Sequence, residues 1–196
     1  ALVPSLIIIA GDLMVKSSEQ LQWAITPLSE LKAADGIYAA TGNHEFYHGV
    51  EGYVKLMGEA GIPVLRNEAT LVADKFILGA VDDQTAVQML GEEEVPIADI
   101  LQGFDRSLPV VFINHTPIRR KEAVAAGVDI YISGHSHHGQ LWPLGYLTEK
   151  IFPIDIGVNK EDGVLFVHST GLGAWGPPMR IDATPEIVLL MLNSSD

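Results

Sequence analysis

Nine consecutive residues, Ile132-Ser133-Gly134-His135-Ser136-His137-His138-Gly139-Gln140, crowd three imidazoles into a glycine-flanked segment. Imidazole nitrogens suit Zn, Fe, Mn and Ni. In an extended segment, residues two apart point to the same side. His135 and His137 are therefore expected to face one ligand and His138 to face away. On this segment alone, a metal site and a polar histidine loop are equally open readings.

Other blocks tip the balance. Gly11-Asp12, Gly42-Asn43-His44-Glu45 and Asn114-His115-Thr116-Pro117 each follow an apolar run, at residues 5–10, 37–40 and 109–113. The imidazole segment follows such a run too, at residues 128–132. Continuous apolar runs of this length read as strands buried on both faces. In open α/β sheets, ligands bind outside the carboxyl ends of the strands. Asp12, Asn43, His44, His115, His135 and His137 are expected to converge there, as oxygen and nitrogen ligands without sulfur. Such a set suits a two-metal hydrolytic site, in which cations about 3.5–4 Å apart acidify a water and clamp an in-line displacement. A carboxylate such as Asp12 can bridge, and the Asn43 amide ligates without adding charge. His44 is then free to protonate a leaving group.

The bulk properties limit the alternatives. The chain of 196 residues is long enough for one domain with a real core, and its 47% apolar and 19% charged content is ordinary for a globular fold. A formal net charge of -13 argues against nonspecific binding to nucleic acid or anionic membrane surfaces. Metal ions would still let an anionic substrate bind. There is no Cys, hence no disulfide framework and no thiolate site. No apolar run approaches a membrane span of about 18–20 residues, and no signal peptide opens the chain.

Several helices are expected between these strands. Ser17 with Gln20 resembles a capping box, followed by apolar residues at helical spacing that Pro27 kinks or restarts. Residues 50–60 read as a helix closed by Gly61. Residues 64–65, 70–72 and 76–81 read as strands, and Asp82-Asp83 as a turn opening an acidic stretch. Residues 97–102 read as a short helix, and Thr116-Pro117 as the start of another. The segment from Leu141 to about Lys160 reads as irregular. Residues 163–168 and 186–192 read as strands. His48 and His138 read as polar loop residues and His168 as structural, while Trp142 and Trp175 read as core or pocket wall. Alternating strands and helices early, with strands dominating late, indicate an α/β fold with a more antiparallel second half. Residues 1–196 are taken as a single domain.

Taken in order and spacing, the four blocks resemble the signatures of the calcineurin-like metallophosphoesterases. The likeness continues through Gly139-Gln140-Leu141-Trp142-Pro143, through residues 169–180 and through Pro185-Glu186-Ile187-Val188-Leu189. These later blocks are similar to the bacterial branch typified by the YkuE and YaeI phosphodiesterases. The resemblance implies a four-layer αββα sandwich with two divalent or Fe-type ions (Mn, Zn, Fe, Ni or Mg) at the strand ends. By the same resemblance, Asp12 bridges both ions. Asn43, His115 and His135 complete one, His137 belongs to the other, and His44 is the acid. Arg180 is a candidate contact for a substrate phosphate.

The implied reaction is phosphodiester hydrolysis by metal-activated hydroxide on a small-molecule or lipid-linked substrate. The alternatives are a pyrophosphatase of nucleotide-sugar lipids and a non-catalytic interaction scaffold. Two departures stand out. The family's first block, Asp-x-His on an earlier strand, has no counterpart, since only ten residues precede Gly11 and none is Asp or His. The first strand is therefore expected to be missing, truncated or supplied by another chain. One metal would then bind well and the second poorly, and the bare strand edge would invite self-association. Many relatives also have an acidic residue where Val15 stands. Relatives are often membrane-anchored through an amino-terminal segment not found in these residues; a cytoplasmic location is otherwise expected.

Overall fold

The computed structural model describes residues 3–14, 17–152 and 154–193. Val15 lies outside them. The order begins with β1 (Ile7–Ile9), a 3-10 helix (Ser18–Ala24), α1 (Ile25–Ser29), β2 (Ile37–Ala40), α2 (Asn43–His48), α3 (Val50–Glu59) and β3 (Val64–Leu65). It continues with β4 (Glu68–Val72), β5 (Phe76–Ala80), α4 (Thr85–Leu90), α5 (Ile97–Ile100), β6 (Val110–Ile113), α6 (Arg120–Ala125) and β7 (Ile130–Ser133). A 3-10 turn (His137–Gly139), α7 (Gly145–Ile151), β8 (Gly157–Glu161) and β9 (Val164–His168) complete it.

Strand alternation explains why the runs are apolar throughout. In β1 and β2, Ile9, Ile37 and Ala39 face a core shared with Leu21, Tyr53, Leu56 and Met57 of the flanking helices. Their neighbours Ile8, Tyr38 and Ala40 face a second core, with Leu78, Ala80, Val111 and Ile113. Strand β6 divides in the same way: Val110 and Phe112 face a third core with Ile97, Ile100 and Ala123 of α5 and α6. With period two, each strand feeds both faces of its sheet. The layers run helix, sheet, sheet, helix, which is the expected αββα sandwich. Phe112 is fully buried, and truncating such a side chain to Ala costs about 3–5 kcal/mol.

The first sheet is parallel in the order β1-β2-β3, and among the described residues nothing pairs with the outer edge of β1. The second has the order β4-β5-β6-β7-β9-β8. Its central strands β5, β6, β7 and β9 are parallel, and an antiparallel hairpin closes each edge. The carboxyl ends of β1, β2, β6 and β7 therefore open on one side.

Four local expectations are corrected. Residues 186–192 form no strand. The region read as irregular contains α7 and β8; α7 buries none of its residues, so no core-facing period marks it. Helix α6 starts at Arg120, beyond Thr116-Pro117, and the Thr116 hydroxyl donates to the buried Asp83 carboxylate at 2.5 Å instead of capping the helix. Ser17 does precede the 3-10 helix, but its hydroxyl donates to Glu19 instead of capping a backbone N–H.

Candidate metal centre

Asp12 sits just past β1 in a left-handed conformation, φ 55°. Its Oδ1 accepts the His44 backbone N–H at 2.9 Å. A Cβ on Gly42 would collide with that carboxylate, so only glycine lets the two strand-end loops approach. Below them lies Glu45, fully buried, whose carboxylate accepts the backbone N–H groups of Asp12 (2.8 Å), Met14 (2.9 Å) and Gly42 (2.6 Å). One side chain thus caps α2 and gathers the loop that carries Asp12. Burial pushes the Glu45 carboxyl up; the Met14 N–H opposes that, and the charge of Asp12 adds to it. The sequence reading gave Glu45 no role, although an acid three residues after Gly42 is the spacing of a helix cap.

From the second sheet, His115 Nε2 comes within 3.0 Å of Asp12 Oδ2, yet it makes no aligned hydrogen bond. Its Nδ1 donates to the Ala10 carbonyl at 2.8 Å. That bond fixes the ring and leaves Nε2 pointing at the carboxylate, the usual second-sphere arrangement of a metal-binding histidine. His135 Nδ1 donates to Asn43 Oδ1 at 2.8 Å. One ligand atom from each of Asp12, His115 and His135 falls within 4.8 Å of the others.

Charges couple these groups. Burial alone would raise the Asp12 carboxyl, but the charge of His115 and the His44 N–H hold it at about 2. Burial would lower His115, but the facing Asp12 raises it to about 9. His135 is lowered, first by burial and then by the charge of His115. The donor set, one carboxylate, one amide oxygen and two imidazoles, with the Asp12–His115 approach left unaligned for a hydrogen bond, fits a borderline divalent cation.

The remaining predicted residues lie around this cluster. His137 Nδ1 is 2.9 Å from the Thr170 carbonyl and 2.8 Å from Arg180 Nη2. Burial, then the Arg180 charge, depress it to about 4. The Arg180 guanidinium also donates to the Thr170 and Gly173 carbonyls, while its Nη1 is buried without a partner. His44 packs edge-on to Tyr47 and beside His48, and its Nδ1 is buried with no hydrogen-bond partner.

One expectation is corrected here, and one pair of open readings is narrowed. The imidazole segment is not extended: His135, His137, His138 and Gln140 all have positive φ. Strand alternation therefore does not aim the rings; a left-handed loop does. His138 does turn elsewhere, bonding Asp155 Oδ2 at 2.7 Å. Trp142 and Trp175 are not core, being 61% and 46% exposed.

A family profile described as calcineurin-like phosphoesterase matches residues 2–139. An uncharacterized metallophosphoesterase of Aquifex aeolicus is 30% identical over 191 residues, covering 96% of this chain and 73% of that protein. One of Helicobacter pylori strain J99 is 29% identical over 189 residues, covering 95% of this chain and 50% of its own. A Danio rerio protein named transmembrane protein with metallophosphoesterase domain is 32% identical over 203 residues, covering 98% and 46%. The chain thus spans about half the length of the latter two. Among the described residues, no helix is long and apolar enough to cross a membrane.

Proposed function

The chain belongs to the calcineurin-like phosphoesterase family, whose members are metal-dependent phosphoester hydrolases, and from that premise we propose that it cleaves phosphodiesters. Asp12, Asn43, His115 and His135 would hold one divalent cation, with His137 toward a second, weaker position. The single observation that carries this reading is the Asp12–His115 approach at 3.0 Å without hydrogen-bond alignment, with His135 in the same cluster. Cations held there supply Lewis acidity to the phosphoryl oxygens and a water nucleophile near neutral pH.

The protein groups do the rest. Ala10 fixes the His115 tautomer, and the His44 N–H holds Asp12. The His44 ring, whose Nδ1 has no protein partner, would give a proton to the leaving oxygen. Arg180 would meet a phosphoryl oxygen through its unpartnered Nη1.

The test is hydrolysis of bis(p-nitrophenyl) phosphate with added Mn²⁺. Metal-dependent turnover that Asp12→Asn abolishes is the expected result. A chain that binds no metal overturns the reading, and one that binds metal without turnover points to the interaction scaffold. A pyrophosphatase acting on a nucleotide-sugar lipid is the second reading. It is favoured by the exposed Trp142, Trp175, Met179 and Ile181 on the segments flanking Arg180. Trp142 N–H donates to the Ile181 carbonyl, so those two residues adjoin. Faster turnover of such a lipid than of the small diester would select it.

A further inference from the structure

A third histidine ties the loop bearing His135 and His137 to the second sheet. His168 ends β9, pairs in register with Ser133 of β7, and is 1% exposed. Its Nδ1 lies 3.0 Å from Ser133 Oγ and its Nε2 2.9 Å from Ser136 Oγ. One ring therefore spans the residues on either side of Gly134-His135. A neutral imidazole has one donor and one acceptor, so it orients the two hydroxyls in series.

The chain of contacts goes on from Ser136. Its hydroxyl accepts the His138 N–H at 3.2 Å and donates to the Asp155 carbonyl at 3.3 Å. Asp155 Oδ2 in turn accepts from His138 Nδ1 and from the Thr148 hydroxyl, each at 2.7 Å. The loop so enclosed holds non-glycine residues at positive φ: His135, His137 and His138. Such conformations persist only where the surroundings over-determine them.

We propose that His168 is a positioning residue of the metal centre: by bridging Ser133 and Ser136 it sets where His135 and His137 present their rings, and hence how tightly the cation is held. This rests on the reading of Asp12, His115 and His135 as a cation site. Outer partners of metal ligands typically change affinity about 10–100-fold. His168 acts through the loop backbone and not on a ligand ring, so the low end is expected.

The experiment is calorimetric titration of the 196-residue chain with Mn²⁺, with urea melts of the metal-free protein run in parallel. His168→Phe keeps the ring volume and loses both nitrogens; it should bind Mn²⁺ about tenfold more weakly, with kcat reduced and KM little changed. His168→Gln, which keeps a donor and an acceptor, should recover most of that affinity. If His168→Phe does not fold, Ser133→Ala and Ser136→Ala remove one contact each, and each should lose part of the affinity. Variants that are less stable yet bind Mn²⁺ like the wild type would overturn the proposal, as would His168→Gln binding as weakly as His168→Phe. A wild-type chain that binds no Mn²⁺ would instead sink the metal reading underneath it.

Discussion

On the wall built from the first sheet, Asp12 and Asn43 hang from backbone gathered by one buried carboxylate; on the wall built from the second, His135 and His137 hang from a loop gathered by one buried imidazole. Glu45 takes three backbone N–H groups directly. The second wall works through hydroxyls, Ser133 and Ser136, and holds four non-glycine residues at positive φ between His135 and Gln140. Each such residue costs on the order of 1–3 kcal/mol. The first wall carries one in the same role, Asp12, beside Gly11 and Gly42. A negative ligand can be held by backbone dipoles, which are always available at a helix start. Neutral ligands on a strained loop need side chains brought from elsewhere in the fold.

The sharpest division between the walls is chemical. Only the first carries a candidate acid, so His44→Ala should cut kcat about 10²–10⁴-fold, equivalent to about 3–5 kcal/mol of barrier. Mn²⁺ affinity should stay near wild type. The loss should shrink for a p-nitrophenolate leaving group, which needs little protonation. Equal losses across leaving groups of rising pKa would assign His44 another task.

Stability separates the walls next. Glu45→Ala strands three buried or partly buried N–H groups and should cost about 3 kcal/mol or more in urea melts, against about 1–2 kcal/mol for His168→Phe. The reverse order would show that the imidazole clamp, not the carboxylate clamp, is the main anchor.

The smallest effect lies in pH. His137 and His168 are each depressed to about 4, by burial first. A depressed imidazole stabilises the fold above its unfolded value of about 6.5, and that contribution fades as pH falls toward 4. Asp12, at about 2, keeps its contribution down to about pH 4 and loses it below. His115, raised to about 9, contributes fully below about 6.5 and loses it as pH rises to 9. Hydrogen exchange of the metal-free chain should therefore loosen residues 134–140 between pH 6.5 and 4 while residues 11–14 stay protected. Simultaneous loosening of both would erase the distinction.

The strands that lead into the site, β1, β2, β6 and β7, and the meeting of Asp12, Asn43, His115 and His135 were legible because alternation fixes both faces of a buried strand, and a strand end fixes where the next residue goes. Helix α7 was not, because its apolar residues Tyr146, Leu147 and Ile151 face outward and leave no core-facing period. Nor was the geometry of the imidazole loop, since left-handed φ at four non-glycine residues has no local signal. The roles of Glu45 and His168 were equally hidden. Glu45 reaches residues 31 and 33 positions away, and His168 reaches 32 and 35.

By itself, the sequence determined the alternation of strands and helices and the set of groups that meet at the strand ends, because hydrophobic period and block order are local properties of the chain; the αββα layering was implied only by the resemblance those blocks carry. Only the tertiary structure decided how those groups are held, because a buried polar atom is satisfied by whatever donor or acceptor the fold brings to it, however distant in sequence.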